Sequence, residues 1–145
     1  MKKIYRVISL VLILSLTFAL AGCSAALKEA AKLSEYEAGD DRIPSITSVV
    51  GEREVTDVEV STKNGVVTKQ YTYLSTSVYD DLFAYVTKLM QDDWLVTQDI
   101  DLNVVPGSGE LGRNSKDEGQ IVLLSFSYEE GGYTVQIVKG KGTIE

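Results

Sequence analysis

The sequence predicts an α+β domain in which one helix packs on an antiparallel sheet of about five strands, in the order β-β-α-β-β-β. Three observations indicate this class. Alternating polar and apolar residues flank Asn64-Gly65, an apolar stripe of helical period follows Ser77, and two further alternating runs surround residues 129–132. Alternation with period 2 is typical of half-buried strands, whereas a stripe of period 3.6 is typical of a helix.

The first predicted hairpin joins residues 53–63 to residues 66–74. Asn-Gly between two alternating runs favours a type I′ turn, because both central residues of that turn need a positive φ. A two-residue loop at Asn64-Gly65 predicts the pairs Thr62–Val67, Val60–Lys69, Val58–Tyr71 and Thr56–Tyr73. The face that carries these pairs is mostly apolar, so we expect it to be buried and the opposite face to lie in water.

A helix is predicted over residues 77–91. The segment Ser77 to Asp80 resembles a capping box with Asp in place of the usual Glu. The stripe that we expect to face the sheet consists of Leu82, Tyr85, Val86, Leu89 and Met90.

The remaining strands are predicted in the last third of the chain. One strand starts at Trp94 and continues through Ile100, Leu102 and Val104. Residues 106–119 are rich in turn formers, with Leu111–Asn114 as a short edge strand within them. A last hairpin places Tyr128 opposite Tyr133, and its predicted buried face consists of Val122, Leu124, Phe126, Tyr128, Tyr133, Val135 and Ile137.

The first 23 residues carry a separate signal. Lys2, Lys3 and Arg6 precede 14 uncharged residues from Val7 to Leu20, fewer than the roughly 20 that a membrane-spanning helix needs. A basic start, a short apolar run and small residues before a processing point are the layout of a secretory signal peptide.

Leu20-Ala21-Gly22-Cys23 resembles the lipobox of bacterial lipoproteins at all four of its positions. The resemblance implies that a diacylglyceryl group is attached to Cys23. It also implies that the lipoprotein signal peptidase recognises Leu20, Ala21 and Gly22 and cleaves between Gly22 and Cys23. The alternatives are an uncleaved anchor helix and an ordinary signal peptide with an incidental cysteine.

The predicted organisation is therefore a signal peptide over residues 1–22, the lipidated Cys23 with a spacer over 23–42, and one domain over 43–145. The alternative to a spacer is a docked N-terminal helix that uses Leu27, Ala31 and Leu33. The mature chain resembles the small bacterial lipoproteins of unknown function that carry one compact α+β domain behind a spacer, a likeness of general layout from which no activity follows.

Composition narrows the possible functions. The chain has 14 basic and 21 acidic residues and no histidine. Without Lys2, Lys3 and Arg6, the remaining 11 basic residues face the same 21 acidic residues, and the mature chain has a net charge of −10. Nucleic-acid binding depends on cations that neutralise phosphate, so no nucleic-acid partner is predicted. The lack of histidine removes the usual general base and the commonest metal ligand.

Four acidic pairs are the first candidates for chemistry: Asp40-Asp41, Asp80-Asp81, Asp92-Asp93 and Glu129-Glu130. Catalytic carboxylates need a defined separation of about 5–10 Å, which neighbours in sequence do not establish. Solubility, helix capping and turn formation explain all four pairs, so no catalytic residue is predicted.

Two further groups of residues were weighed as binding sites. The tyrosines Tyr71, Tyr73, Tyr79, Tyr85, Tyr128 and Tyr133 offer rigid amphipathic surfaces, but most are predicted to lie in the core. Asp99, Asp101, Asn103 and Glu110 have the spacing of calcium ligands. Because Val104 stands where such a loop needs glycine and alternation alone explains the spacing, no metal site and no cofactor are predicted.

These observations lead to one expectation and one alternative. We expect a membrane-tethered, extracytoplasmic lipoprotein that is a non-enzymatic binding or interaction module, with an envelope protein or a glycan as its partner. The alternative is a cell-envelope hydrolase that uses Asp or Glu carboxylates. A concave pocket with converging carboxylates of raised pKa beside the helix would favour the hydrolase.

Overall fold

The computed structural model of the chain describes residues 24–145, of which 48% lie in strands and 22% in helices. Eight strands form a two-stranded sheet and a six-stranded sheet, accompanied by three short helices. The predicted class, α+β with one helix on about five strands, is therefore wrong. The fold is mostly β, because strands form at residues 35–44 and 107–114, where the alternation that marks a strand is weak.

The elements in chain order are α1 (residues 24–31), β1 (Glu35–Ala38), β2 (Asp41–Pro44), α2 (Ile46–Val50), β3 (Glu54–Lys63), β4 (Val66–Leu74), α3 (Val78–Gln91), β5 (Leu95–Gln98), β6 (Gly107–Asn114), β7 (Gln120–Glu129) and β8 (Gly132–Lys141). The large sheet has the strand order β3-β4-β8-β7-β6-β5, and all of its neighbours are antiparallel. The pairing of β4 with β8 joins the two predicted hairpins into one sheet.

The core lies on one face of the large sheet, under the β1–β2 hairpin and the helices. The ring of Tyr36 in β1 stacks on Tyr71 in β4, with ring centroids 4.7 Å apart, and its hydroxyl hydrogen-bonds that of Tyr73. On α3, the Tyr85 hydroxyl donates to the Pro44 carbonyl at 2.7 Å. Tyrosines therefore connect three layers of the core while satisfying their own polar atoms.

The β3–β4 hairpin has the predicted turn and most of the predicted register. Asn64 and Gly65 both have positive φ, and Thr62, Val60 and Val58 have the predicted partners. A bulge between Val55 and Asp57 then shifts the register, so Tyr73 pairs with Val55 instead of Thr56. The far end of this hairpin extends beyond the core, and Val60 is 63% exposed instead of buried.

The β7–β8 hairpin is confirmed in register and in buried face. Tyr128 pairs with Tyr133, and all seven residues of the predicted apolar face are buried.

Helix α3 is confirmed at Val78–Gln91, but two details of its prediction are wrong. The Ser77 side chain makes no capping hydrogen bond, so the capping box does not form. Of the predicted stripe, Leu82, Tyr85 and Leu89 are fully buried, whereas Met90 is 54% exposed.

The strand predicted over residues 94–104 ends at Gln98. Residues 99–106 form an irregular loop, in which the Val104 amide donates to the Asp101 carbonyl at 3.2 Å. The missing side chain of Gly109 provides the space for this arrangement, because a Cβ there would lie 2.6 Å from Ile100 Cγ1. Ile100 and Leu102 therefore reach the core from a turn, and Val104 is exposed.

Residues 24–42 are not the free spacer that the sequence suggested. Tyr36, Ala38 and Asp41 are buried in the β1–β2 hairpin, and α1 packs on the core through Ala30, Ala31 and neighbouring leucines. The alternative of a docked N-terminal helix describes this segment better.

Within residues 24–145, no helix is both long and apolar enough to cross a membrane.

Candidate functional site

The lipidation site predicted from sequence lies outside the described residues. Leu20, Ala21, Gly22 and Cys23 precede the first residue that the structure describes, Ser24, which begins α1. Lipidation of Cys23 therefore stays a prediction.

A buried ion-pair cluster fastens the β1–β2 hairpin to the large sheet. The Asp41 carboxylate is fully buried; it accepts hydrogen bonds from the Ser115 hydroxyl at 2.5 Å and the Lys116 amide at 3.0 Å. Lys139 Nζ lies 2.9 Å from Asp41 and 2.5 Å from Asp117. Burial alone would raise the pKa of Asp41, but these hydrogen bonds and Lys139 outweigh it and lower the pKa to about 2.

The low pKa of Asp41 predicts an acid-labile contribution to stability. In the unfolded chain Asp41 binds a proton near pH 3.8, whereas in the folded chain it stays ionised down to about pH 2. This contribution is complete above about pH 4 and is lost as the pH falls to about 2, and it amounts to about 2 kcal/mol. Urea unfolding of the parent and Asp41→Asn over this pH range measures it. Parallel pH profiles for the two proteins would contradict this assignment.

A second buried cluster lies where α3 begins. Arg53 binds Asp81 through two hydrogen bonds, from Nε to Oδ2 at 2.8 Å and from Nη2 to Oδ1 at 2.7 Å. The Ser75 and Tyr133 hydroxyls also donate to Asp81 Oδ2, at 2.7 and 3.0 Å. Burial would raise the pKa of Asp81, but these four hydrogen bonds lower it below its ordinary value. Both oxygens of this carboxylate are therefore occupied.

An open groove of about 880 Å³ lies over this cluster, between the start of β3, the start of α3 and the β7–β8 turn. We call it the glutamate groove because four glutamates line it: Glu52, Glu54, Glu129 and Glu130. Its apolar and aromatic lining residues are Leu74, Val78, Tyr79, Leu82, Leu102, Val105 and Tyr128. Among these, Leu74, Tyr79 and Val105 are about half exposed. Because they line the same groove, they form an exposed apolar patch, a feature typical of binding sites.

The charge of the glutamate groove is strongly one-sided. Among the described residues 24–145 that line it, Arg53 is the one cation, and its guanidinium is held by Asp81. Within that part of the chain, no free cation of the lining opposes the four glutamates. An acidic rim with apolar walls matches a ligand that carries both positive charge and apolar surface.

Sequence reasoning missed Arg53 and misjudged Asp81. The pair Asp80-Asp81 was attributed to helix capping, yet only Asp80 is exposed and Asp81 is 2% exposed. One signal was available: Asp81, Tyr85 and Leu89 stand at i, i+4 and i+8 and so share the buried face of the helix. Nothing local identifies Arg53 as the partner, because the two residues are 28 positions apart.

The other sequence candidates are placed as follows. Five of the six tyrosines are buried, as expected, and Tyr79 is 47% exposed in the glutamate groove. The possible calcium ligands do not converge. Asp101 accepts from the amide of Asn103 at 3.0 Å, while Glu110 accepts from Thr97 and Ser125 on the outer face of the sheet. Residues 24–145 contain no group of three acidic or cysteine side chains placed to hold a metal ion.

The outer face of the large sheet is polar across its width. One row of neighbouring residues crosses all six strands: Glu59, Gln70, Gln136, Ser125, Glu110 and Gln98. This face carries the hydrophilic half of the predicted alternation, and it provides control positions remote from the glutamate groove.

Comparison of the chain with protein-family models, with curated proteins and with solved structures finds no match.

Proposed function

We propose that the protein is an extracytoplasmic lipoprotein, anchored to the membrane through Cys23, whose folded part is a binding module for a cationic segment of an envelope protein. The lipobox supports the anchor. The glutamate groove supports the ligand class, and the observation that carries it is the set of four glutamates around apolar walls, with no free cation among the lining residues that the structure describes.

A short distance between anchor and groove is consistent with this proposal. Ser24, which follows Cys23 directly, lines an open depression of about 580 Å³ together with Glu52, Arg53 and Glu54. The same three residues line the glutamate groove. A ligand in the groove would therefore be held close to the lipid anchor, where segments of membrane proteins emerge from the bilayer.

The alternative of a carboxylate hydrolase has less support from the groove. A general acid or base needs a pKa near the working pH, whereas the pKa of Asp81, which binds Arg53 and Ser75 of the groove lining, is lowered and both of its oxygens are occupied. An enzyme at this position would have to use the rim glutamates. Protein is favoured over glycan as the partner because the walls are apolar and the rim is charged.

Charge reversal on the rim of the groove tests the ligand class. We expect the full chain in phosphatidylcholine nanodiscs to bind a labelled Lys/Leu peptide that a central proline prevents from forming a helix, and Glu129→Lys/Glu130→Lys to weaken that binding by about tenfold or more. The matched control is Asp57→Lys/Glu59→Lys, which makes the same change of charge at exposed positions of β3 outside the groove. Fluorescence anisotropy measures both affinities. Equal losses in the two variants would indicate general electrostatics and contradict a specific site.

A further inference from the structure

A second groove, which we call the α3 groove, lies along the outward side of α3. Most of its lining residues differ from those of the glutamate groove. Helix α3 has two apolar stripes. The first, with Leu82, Tyr85 and Leu89, is buried against the sheet. The second consists of Tyr79, Phe83, Val86 and Met90, spaced by four, three and four residues, and it faces the loop 99–103 across a groove of about 470 Å³.

The second stripe exposes large apolar side chains that no described element covers. Tyr79, Phe83 and Met90 are 47%, 57% and 54% exposed, and Val96 on the opposite wall is 43% exposed. Tyr79 and Phe83 lie with nearly parallel rings, 6.0 Å between centroids. Of the nine large apolar residues that are exposed in residues 24–145, four line this groove, whereas Val60 lines neither groove. Such clustering is typical of an interaction surface.

The dimensions of this surface fit a helix. The stripe spans 11 residue steps from Tyr79 to Met90, a length of about 16 Å at 1.5 Å per residue, or about three helical turns. Side chains on one helix that are spaced by three and four residues form ridges into which a second helix can pack. A partner helix in such a groove inserts its own apolar face between α3 and the loop.

The charges around the groove select the partner. Asp99 and Asp101 are among its lining residues, and no Lys or Arg of residues 24–145 lines it. Asp80 is exposed in the first turn of α3, and Lys88, the nearest cation on this helix, is bound to Asp92 at 2.8 Å. A second copy of the chain would face these aspartates with its own, since a two-fold interface brings identical surfaces together. The rim is complementary to a basic partner instead.

We infer that the α3 groove docks an amphipathic helix of another protein, about three turns long, with an apolar face flanked by Lys or Arg. This site is distinct from the glutamate groove, because Phe83, Val86 and Met90 line the α3 groove and do not line the glutamate groove. The two grooves meet at Tyr79 and Leu102, which line both. One partner could therefore occupy the α3 groove with a helix and continue into the glutamate groove.

The test uses a synthetic Leu/Lys peptide of about 15 residues, with Leu at helical spacing and Lys beside it. Its binding to the full chain in phosphatidylcholine nanodiscs is measured by fluorescence anisotropy against empty nanodiscs. Two control peptides have the same composition in scrambled order, or Glu in place of Lys. We expect the parent chain to prefer the Leu/Lys helix over both controls by about tenfold.

Two matched variants locate the site. Phe83→Lys and Val60→Lys place the same charge at apolar positions of similar exposure, 57% and 63%. We expect Phe83→Lys to weaken binding by about tenfold and Val60→Lys to change it by less than about twofold. An unchanged affinity in Phe83→Lys, or equal affinity for the acidic peptide, would overturn the inference. A parent dimer that Phe83→Lys dissociates in sedimentation experiments would also overturn it, because a second copy would then cover the groove.

Discussion

Replacing Asp81 by alanine should cost about 3–5 kcal/mol of unfolding free energy. The substitution removes the carboxylate that accepts hydrogen bonds from Arg53, Ser75 and Tyr133. Hydroxyl groups that stay buried without an acceptor add a cost of about 1–3 kcal/mol each. Because the cluster joins the start of β3, the start of α3 and β8, its loss should also loosen the base of the glutamate groove. Urea unfolding followed by circular dichroism measures the change.

Asp80→Ala is the matched control for this prediction. Asp80 lies in the same first turn of α3 and makes no contribution to the buried cluster, so its replacement should cost less than about 1 kcal/mol. The two substitutions remove the same charge from the same helix end. If Asp81→Ala were no more destabilising than Asp80→Ala, the described ion pair would not contribute to the stability of the fold.

The second large effect is expected for Leu89→Ala. Leu89 is fully buried between α3 and the sheet, and truncation of a buried leucine costs about 2–5 kcal/mol through lost apolar contact and the remaining cavity. That is a large share of the roughly 5–15 kcal/mol that stabilises a domain. Thermal or urea unfolding of the purified protein gives the loss directly.

Met90 provides the control for Leu89. It follows Leu89 in the same helix, has a side chain of similar size and is 54% exposed, so Met90→Ala should cost less than about 1 kcal/mol. Both substitutions introduce alanine at adjacent positions of one helix, so their effects on helix propensity are similar. The difference between the two losses of unfolding free energy therefore reports burial. Similar losses at the two positions would mean that the first stripe of α3 does not face the core.

The sequence predicted the elements whose patterns are local and strong. The β7–β8 hairpin was predicted with its register because polar and apolar residues alternate next to its turn, from Leu124 to Tyr128 and from Tyr133 to Ile137. The turn at Asn64-Gly65 was predicted because that dipeptide readily adopts two successive positive φ angles. The bulge at Thr56 was missed although the alternation changes phase there, since Val55 and Val58 are three residues apart instead of two.

Strand β6 was predicted only in part, as a short edge strand over Leu111–Asn114, whereas it runs from Gly107 to Asn114 and lies inside the sheet. Its sequence, from Gly107 to Asn114, contains three glycines and only one large apolar residue, which is typical of a loop. The strand is stable because it lies between β7 and β5, and because Gly109 and Gly112 leave space for side chains that pack over them. Conversely, residues 100–104 alternate as a strand does but form a turn, because the Asp101 carbonyl accepts from the Tyr128 hydroxyl.

The N-terminal segment was misjudged for a related reason. Residues 35–44 are too short and too charged to predict a buried hairpin by themselves. Tyr36 and Ile43 are nevertheless fully buried, and Asp41 is held by Lys139, which lies almost 100 positions later in the chain. Contacts of such long range leave no trace in local periodicity. The contact between Arg53 and Asp81 also joins distant parts of the chain, so local periodicity could not predict the candidate site.

The most direct test of the proposed membrane anchor is metabolic labelling with a fatty acid in the cells that produce the protein. The account predicts that the parent chain incorporates label and is processed, whereas Cys23→Ala takes up none and accumulates as a longer precursor. Ser24→Ala is the control, because it alters the neighbouring residue and leaves the four lipobox residues intact. Label that persists in Cys23→Ala, or a parent chain that takes up none, would contradict the account.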